Sequence, residues 1–335
     1  MSPKKPQTYL DSNAGSALTP AVLNALQMSQ GALPVALFNP SSIHHHGRQA
    51  LRLISNARDQ ICRSIGIRVD PEQLIFTSSG TESNQLVIHS ALRAAGSDAR
   101  RRWLVSAVEH DSVFQMVDWA KGREIEVDEL PVGPEGDIES TWREIDFSRY
   151  ALVSLQWVNN ETGVVQTEIS EIVKKARAAG ARVHVDAAQA WGKIAFDVQA
   201  LGASYVTFSG HKIGAPAGIG VVWVGRGSPL EPLLRGKQEK GRRGGTENVL
   251  GIWLTGEAAQ AVGTLLEKSD EIRLEREKLE REVLAAIPGA SVNGAGARLR
   301  VAGTSSFSFG PDVSGESLVL GLDMEGYSVS AGAAC

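Results

Sequence analysis

The fold is decided by two neighbouring stretches, Arg182-Val-His-Val-Asp-Ala-Ala-Gln189 and Tyr205-Val-Thr-Phe-Ser-Gly-His-Lys212. Each begins with four residues of which two are β-branched, a composition typical of a strand. Each then continues into polar residues that carry chemistry, an aspartate in the first stretch and a lysine in the second. This arrangement is typical of an α/β sheet, where ligands bind at the carboxyl ends of the strands.

Similar runs recur along the first 225 residues and alternate with segments whose apolar residues are spaced three or four apart, the period of a helix. The alternation predicts an α/β fold with a mainly parallel sheet. The predicted strands comprise residues 74–77, 103–106, 152–158, 182–185, 205–208 and 219–224, and the predicted helices comprise residues 82–95, 112–121 and 168–179.

The composition excludes several classes of protein. The 335 residues are 42% hydrophobic and 21% charged, as in ordinary globular proteins, and the net charge of −4 provides no overall basic field for nucleic acid. The longest weakly polar stretch, residues 214–225, is shorter than the roughly 20 residues of a membrane helix. No secretory signal opens the chain, and it has only two cysteines, Cys62 and Cys335. These features predict a soluble, cytoplasmic protein.

Lys212 and Asp186 are the first candidates for catalysis. A lysine at the edge of a sheet is partly removed from water, and its neutral amine is a nucleophile toward carbonyl groups. A carboxylate at the end of the neighbouring strand is suited to pair with the ring nitrogen of a pyridine cofactor, and Gln189 follows three residues later. Taken alone, an exposed lysine in a turn and a helix-capping aspartate explain the same residues.

A third segment, Phe76-Thr-Ser-Ser-Gly-Thr-Glu-Ser83, runs from a strand through small hydroxyl residues into a helix. Free N–H groups at such a helix start bind phosphate. A plain serine cap with Glu82 as its capping-box partner is the alternative. Convergence of a lysine and an acid on this segment would favour the phosphate site.

Three other segments offer polar groups near predicted strands or in loops. His110 could stack on a flat ring, Asn160 could donate to a ring oxygen, and the basic, glycine-rich residues 237–247 could meet phosphate or nucleic acid. A structural histidine, a turn and a mobile solvated loop are the respective alternatives. Because five strand ends together offer phosphate donors, a ring stacker, an amide, an acid and a lysine, we predict a pyridoxal phosphate site.

The ordered set of motifs resembles the cysteine desulfurases, a group within the class V aminotransferases. The resemblance covers nearly the whole chain, and its last segment corresponds to the cysteine loop of the family's long-loop group. The matching segments are residues 9–11, 39–44, 76–84, 109–110, 158–161, 184–186, 189, 209–212, 238–248 and 330–335.

The resemblance implies the fold-type I architecture of pyridoxal phosphate enzymes, with helices on both faces of the sheet and a smaller, incomplete α/β domain at the C-terminus. Residues 1–17 would pack with the small domain. Residues 18–250 would form the large cofactor-binding domain, and residues 251–335 would supply connecting helices and the partial small domain.

The resemblance also implies a role for each candidate residue. Lys212 would form a Schiff base with the cofactor, Asp186 would pair with the pyridine nitrogen, and His110 would stack on the ring and carry protons. Cys335 would be the nucleophile that takes the sulfur. The remaining cofactor contacts would come from Gly80, Thr81, Asn160, Gln189, Ser209 and His211, with Thr246 reaching the phosphate of the neighbouring subunit in a homodimer.

The implied activity is conversion of L-cysteine to L-alanine, with a persulfide on Cys335 passing sulfur to an acceptor protein for iron-sulfur clusters, thio-cofactors or tRNA. The alternatives are a selenocysteine lyase, another class V pyridoxal phosphate enzyme, and a truncated, non-catalytic relative that binds the cofactor. No metal, membrane or direct nucleic-acid partner is expected.

The chain departs from the family pattern in three places. Family members continue beyond the loop cysteine and supply an arginine for the substrate carboxylate, so we expect either a chain truncated after Cys335 or a protein that lacks this arginine and much of the activity. The glycine-rich motif before Gln238 reads Arg235-Gly-Lys237, and the hydroxyl-rich motif near the amino terminus reads Asn13-Ala-Gly-Ser-Ala17. Both departures lie near the expected entrance of the active site and bear on specificity.

Three other features have simpler interpretations. The segment 209–212 also fits the S-x-x-K motif of serine acyl-transfer enzymes, but the K-T-G and S-D-N motifs that accompany it are missing from the sequence. The run His44-His-His46 cannot converge on one metal ion, so we interpret it as a polar helix start. Cys62 lies in a helical pattern and is predicted to be buried packing.

Overall fold

A seven-stranded sheet forms the centre of the computed structural model, which describes residues 6–28, 38–95 and 101–332. Its spatial order is β2-β8-β7-β6-β5-β3-β4. The strands are β2 Leu74–Thr77, β3 Arg102–Ser106, β4 Glu126–Leu130, β5 Leu152–Gln156, β6 Arg182–Asp186, β7 Tyr205–Ser209 and β8 Gly220–Val224.

Six of these seven strands point the same way. Strand β8 alone runs in the opposite direction, because it pairs antiparallel with both β2 and β7 while the remaining pairs are parallel. The carboxyl ends of β2, β3, β5, β6 and β7 therefore meet at one edge of the sheet. The predicted α/β fold with a mainly parallel sheet is confirmed.

Helices cover both faces of the sheet, as expected. Adjacent strand residues point to opposite faces, so Leu104 and Val153 enter one apolar core while Trp103 and Leu152 enter the other. The helices are α1 Pro20–Met28, α2 His45–Ile65, α3 Gly80–Arg93, α4 Asp111–Lys121, α5 Ile169–Ala178, α6 Val198–Leu201, α7 Val249–Gln260, α8 Val262–Glu267, α9 Ser269–Ala286 and α10 Gly315–Met324.

Two details of the sheet differ from the sequence prediction. Strand β5 ends at Gln156 rather than residue 158, since the chain turns there toward Asn159 and Asn160. Edge strand β4 was not predicted, because its sequence Glu-Val-Asp-Glu-Leu carries three acids. Arg102 of β3 holds the middle acid, Asp128, through two hydrogen bonds of 3.0 Å. This pairing with its neighbour explains how so charged a segment forms a strand.

Helix α2 accounts for two features of the sequence. The Nδ1 atom of His44 accepts a hydrogen bond from the backbone N–H of Gly47 at 3.2 Å, so the histidine run is the start of a helix, as predicted. Cys62 lies on the buried face of the same helix, and burial raises the pKa of its thiol to about 12. The thiol is therefore protonated and inert at neutral pH.

One apolar stretch is longer than any that the sequence analysis predicted. Residues Val249–Glu267, which span α7 and α8, have a mean hydropathy of 1.3 and are long enough to cross a membrane by length and composition. Half of this stretch is buried in the molecule, with Ile252 and Leu254 in the core. Packing against the core explains its apolar composition, and the expectation that residues 214–225 were the longest such stretch is wrong.

The two ends of the described chain meet in a small parallel pair. Strand β1, Thr8–Tyr9, pairs with β11, Tyr327–Ser328. A separate antiparallel pair is formed by the short strands β9, Ser291–Val292, and β10, Phe307–Ser308. The amino-terminal segment thus contacts the C-terminal region directly. The division of the chain into domains at residues 17 and 250 stays a prediction.

The basic loop of residues 237–247 is anchored to the sheet, so a mobile solvated loop is the wrong interpretation. Glu239 is buried and accepts hydrogen bonds from Arg58 at 2.7 Å and from the backbone N–H of Phe76 at 3.0 Å. Arg243 forms an ion pair with Glu82, with Nε donating to Oε1 at 2.8 Å. These two anchors hold the loop against the strand-to-helix turn that follows β2.

We predict that Glu239→Gln lowers the free energy of unfolding by about 3 kcal/mol, because it leaves the largely buried Arg58 guanidinium without a countercharge. Urea denaturation followed by the fluorescence of the seven tryptophans measures this as a lower midpoint. The exposed Glu271 provides a control, and Glu271→Gln should leave the midpoint unchanged. Equal midpoints for Glu239→Gln and the unaltered chain would contradict the anchoring role.

Candidate active site

The carboxyl edge of the sheet brings together most of the predicted site residues. The turn after β2 supplies Gly80 and Thr81, strand β6 ends at Asp186, and strand β7 leads through Ser209 to Lys212. The parallel direction of these strands places the three segments at the same edge of the sheet. The lysine and the acid therefore lie on the same side of the sheet as the predicted phosphate turn.

The turn after β2 contains both features that the sequence predicted as alternatives, a serine helix cap and a helix start with free amides. Ser79 caps helix α3, its hydroxyl accepting the N–H of Glu82 at 3.1 Å, and Glu82 in turn accepts the N–H of Ser78 at 2.7 Å. These caps leave the amides of Gly80 and Thr81 at the helix start, where a helix supplies no acceptor of its own. The caps shape the turn, and the remaining amides can hold an anion.

Gly80 lies where strand β7 approaches the helix start closely. A Cβ atom at this position would lie 3.2 Å from the Cβ of Ser209, which is tighter than ordinary packing allows. Ser209 in turn shares a hydrogen bond of 3.0 Å between its Oγ and Nδ1 of His211. The helix start, a serine hydroxyl and an imidazole are thus packed around one point.

Asp186 is buried at the end of β6 and keeps room for another donor. Its Oδ2 accepts from Asn84 at 2.8 Å and its Oδ1 from the backbone N–H of Ala188 at 2.9 Å. A carboxylate offers about four lone-pair sites, so one further N–H can be accepted. This is the capacity that pairing with a ring nitrogen requires.

Asn84 organises a buried polar network beneath Asp186, and sequence reasoning assigned it no role. Its amide also donates to Ser112 Oγ at 2.9 Å, while its Oδ1 accepts from Thr207 at 2.6 Å. Thr207 continues the network to Nε2 of buried His184 at 3.0 Å. In the sequence, Asn84 could have been noticed as a polar residue on the buried face of helix α3, where most side chains are apolar.

His110 caps helix α4 at the end of the loop that follows β3. Its Nδ1 accepts the backbone N–H of Ser112 at 3.0 Å and lies 2.8 Å from the Ser112 hydroxyl. This bonding assigns the proton of the neutral ring to Nε2. Through Ser112 and Asn84, the imidazole belongs to the same network as Asp186.

Lys212 reaches its position through contacts with the amino-terminal segment. Its ammonium donates to the carbonyl oxygens of Asn13 and Ala14, the latter at 3.0 Å. Burial lowers the pKa of Lys212, although Asp186 and Asp11 act in the opposite direction. The pKa of neighbouring His211 is likewise lowered, first by burial and then by Lys212. A larger neutral fraction of the lysine favours nucleophilic and base chemistry.

Asn13 links the remaining amide residues of the site. Its carbonyl accepts from Gln189 Nε2 at 2.9 Å, and its side-chain Nδ2 donates to the carbonyl of Asn160 at 3.0 Å. Lys193 donates to Asn13 Oδ1 at 2.7 Å and also to Gln189. Neither Asn13 nor Lys193 was predicted as a site residue, because contacts between segments about 180 residues apart leave no local pattern.

Glu109 is a second buried acid that the sequence left without a role. Burial, followed by the charge of Asp186, raises its pKa well above the usual range of a carboxyl group. Within the described part of the chain, neither carboxyl oxygen is in hydrogen-bonding geometry with a partner. The raised pKa favours the uncharged form of Glu109, which reduces the negative charge beside Asp186.

Two predicted residues stand apart from this cluster. Thr246 is exposed on the anchored loop, beyond the Arg243–Glu82 ion pair. Cys335 lies outside the described residues. Their roles stay predictions.

Comparison with known proteins identifies the family. The model of the class-V aminotransferase family matches residues 8–335. The chain belongs to this family. A curated cysteine desulfurase of Cereibacter sphaeroides is 39% identical over 334 residues, an alignment that covers 98% of this chain and 83% of the relative.

Solved structures agree with this placement in the class-V aminotransferases. A NifS-like protein superposes with a TM-score of 0.88 at 28% identity, covering 97% of this chain and 87% of its own. A structure described as SspA in complex with cysteine superposes with a TM-score of 0.79 at 27% identity, covering 97% and 89% of the two chains. The resemblance noted in the sequence is confirmed over nearly the whole chain.

The buried histidine of this network affects the stability of this class-V aminotransferase at acidic pH. Burial lowers the pKa of His184 from 6.5 to about 4. Above pH 6.5 the imidazole is neutral in both the folded and unfolded states. Between pH 6.5 and 4 only the unfolded state binds the proton, so the free energy of unfolding falls by roughly 1 kcal/mol per pH unit.

We predict that His184→Gln, which cannot titrate, flattens this dependence. Urea midpoints measured from pH 7 to 4 should fall less steeply for His184→Gln than for the unaltered chain. The exposed His45 supplies the matched control, and His45→Gln should keep the original slope. Parallel curves for His184→Gln and the unaltered chain would show that His184 is not held neutral.

Proposed function

We propose that this chain is a pyridoxal phosphate-dependent cysteine desulfurase that converts L-cysteine to L-alanine and receives the sulfur on Cys335. The observation that carries the proposal is the convergence of Lys212, Asp186 and the phosphate turn at one sheet edge, with His110 joined to Asp186 by hydrogen bonds through Ser112 and Asn84. The relatives named cysteine desulfurase support the choice of reaction.

The residues present fit the cofactor. Asp186 retains acceptor capacity for a protonated ring nitrogen, as its two existing donors leave lone pairs unused. The amides of Gly80 and Thr81, with Ser209 and His211 beside them, supply donors for a phosphate group. Gln189 and Asn160 would contact the ring oxygen or the substrate. When bound, pyridoxal phosphate supplies an electron sink for the carbon next to the amine of an amino acid.

Lys212 would hold the cofactor covalently and act as the base. Burial increases the neutral fraction of its amine, and a neutral Nζ can take the α-proton of cysteine. The carbonyls of Asn13 and Ala14 hold that nitrogen in place. The same ammonium can afterwards return a proton to the product.

His110 would stack on the ring and carry a proton at Nε2. The bonds from Ser112 to Nδ1 fix the ring orientation and leave Nε2–H as the group able to face substrate. The fixed tautomer keeps the same ring atom, Nε2, as the hydrogen-bond donor toward the substrate.

Cys335 would receive the sulfur. Its thiolate forms an S–S bond with the sulfur of cysteine while the Cβ–S bond of the substrate breaks. The bonding electrons remain with the carbon, which takes up a proton and leaves as alanine. The cysteine-bound structure of the SspA relative supports cysteine as the substrate.

The partners of the reaction are also part of the proposal. The persulfide would pass to an acceptor protein, an iron-sulfur scaffold or a sulfur carrier, in the cytoplasm. The chain would act as a homodimer in which exposed Thr246 reaches the phosphate of the neighbouring subunit. The anchoring of its loop by Glu239 and Arg243 supports this role, since a fixed loop can present a hydroxyl at a defined position.

We predict that the purified chain, supplied with pyridoxal phosphate, releases alanine from L-cysteine, and that Lys212→Ala and Cys335→Ala each abolish the release. The two variants differ in a second measurement. Lys212→Ala removes the borohydride-trapped bond to the cofactor, whereas Cys335→Ala retains it.

Cys62→Ala is the matched cysteine control and should keep the activity, because Cys62 is buried in helix α2. Loss of activity in Cys62→Ala with retention in Cys335→Ala would reverse the assignment of the nucleophile. A trapped cofactor without alanine release by the unaltered chain would refute the desulfurase and favour a cofactor-binding relative.

A further inference from the structure

Lys193 is a second lysine within the site and has no part in the mechanism above. It lies four residues after Gln189, on the turn that follows β6, and is half-buried. Its ammonium donates to Asn13 Oδ1 at 2.7 Å and to Gln189 Oε1. A buried amine needs such acceptors while it is charged, and both of them belong to the site.

Asn13 brings the two lysines together. Its side-chain oxygen accepts from Lys193, while its carbonyl oxygen accepts from Lys212. Two ammonium groups are thus held against one residue, in a region where burial weakens the screening of their repulsion. Because two like charges repel each other, loss of a proton from one amine removes the repulsion that acts on the other.

The surrounding charges do not remove this competition. Asp186 and Asp11 face Lys212 and favour its charged form, while neighbouring His211 has a lowered pKa and is neutral at ordinary pH. Lys193 has Lys212 as its charged neighbour, and burial together with that charge lowers the pKa of Lys193 to about 7. The two acids act on Lys212, so Lys193 is the amine that gives up its proton more readily.

We infer that Lys193 and Lys212 form one coupled pair in which a proton on either amine disfavours a proton on the other, with Lys193 as the positioning residue that controls the charge of Lys212. A charged Lys193 disfavours a proton on Lys212 and leaves that amine able to attack a carbonyl. When Lys212 takes a proton from a substrate carbon, Lys193 is the neighbour that becomes neutral and removes the repulsion. The inference deepens the proposed function, since it concerns the same reactive lysine.

Lys193 also orients Gln189. Because the ammonium donates to Oε1 of this amide and Asn13 accepts from its Nε2, the oxygen and nitrogen ends of the side chain are assigned by their partners. The second hydrogen on Nε2 is then the group available to a ring oxygen. One lysine therefore fixes both a charge and the direction of a donor.

The test is competitive acetylation of the chain without cofactor or substrate, with each lysine followed by mass spectrometry across pH 6 to 11. Only neutral amines react, so each labelling curve reports the pKa of one lysine. The exposed Lys174 serves as an internal reference. Because neither pyridoxal phosphate nor turnover is involved, the result does not depend on whether the chain is a desulfurase.

Two matched pairs of variants isolate the coupling. Lys212→Met removes the charge and should raise the pKa of Lys193 by about one unit or more, whereas Lys212→Arg keeps the charge and should leave it low. Reciprocally, Lys193→Arg should lower the pKa of Lys212, because its charge cannot be released, and labelling of Lys212 at pH 8 should then be several-fold faster than in Lys193→Met.

The inference is overturned if each lysine titrates identically whatever occupies the other position. Circular dichroism identifies any variant that does not fold. If a methionine variant fails this check, the comparison of the unaltered chain with Lys193→Arg decides alone. A lowered pKa of Lys212 in that variant supports the coupling, and an unchanged one refutes it.

Discussion

The buried carboxylate of Asp186 is the constraint around which the site is organised. A charge at the end of a central strand has lost its water and must be compensated by nearby donors. Asn84 and the N–H of Ala188 provide two of them. Asn84 must come from helix α3, so the helix has to lie directly over the strand ends. The same helix begins at Gly80, and the phosphate turn therefore occupies a fixed position relative to the acid.

The direction of the strands then completes the arrangement. Strand β8 is the only one of the seven that runs the other way, and it lies between β2 and β7 in the sheet. Its first residue, Gly220, packs so closely on the turn that a Cβ atom would lie 2.1 Å from the carbonyl oxygen of Ser79. The absence of a side chain there lets the phosphate turn rest against β8, the strand that follows Lys212 in the chain.

The sequence predicted the fold and the central residues because their signals are local. A strand followed by a polar residue can be recognised within a dozen positions, as at Asp186 and Lys212. The features that the sequence analysis did not predict depend on contacts between residues that are far apart in the chain. Strand β4 forms despite its acids because Arg102 pairs with Asp128, and Asn13 becomes a site residue only when the amino-terminal segment folds back over Lys193 and Lys212.

The anchored loop of residues 237–247 also has a mechanical consequence. Glu239 binds the backbone immediately before the phosphate turn, and Arg243 binds Glu82 immediately after it. The residues between these anchors include Lys240, whose left-handed backbone (φ 58°) is costly for a side-chain-bearing residue. The loop is thus connected to the turn at two points, one on each side of it. Both contacts would be strained by a shift of the turn, so the position of the turn inside the site is connected to that of the loop on the outside of the molecule.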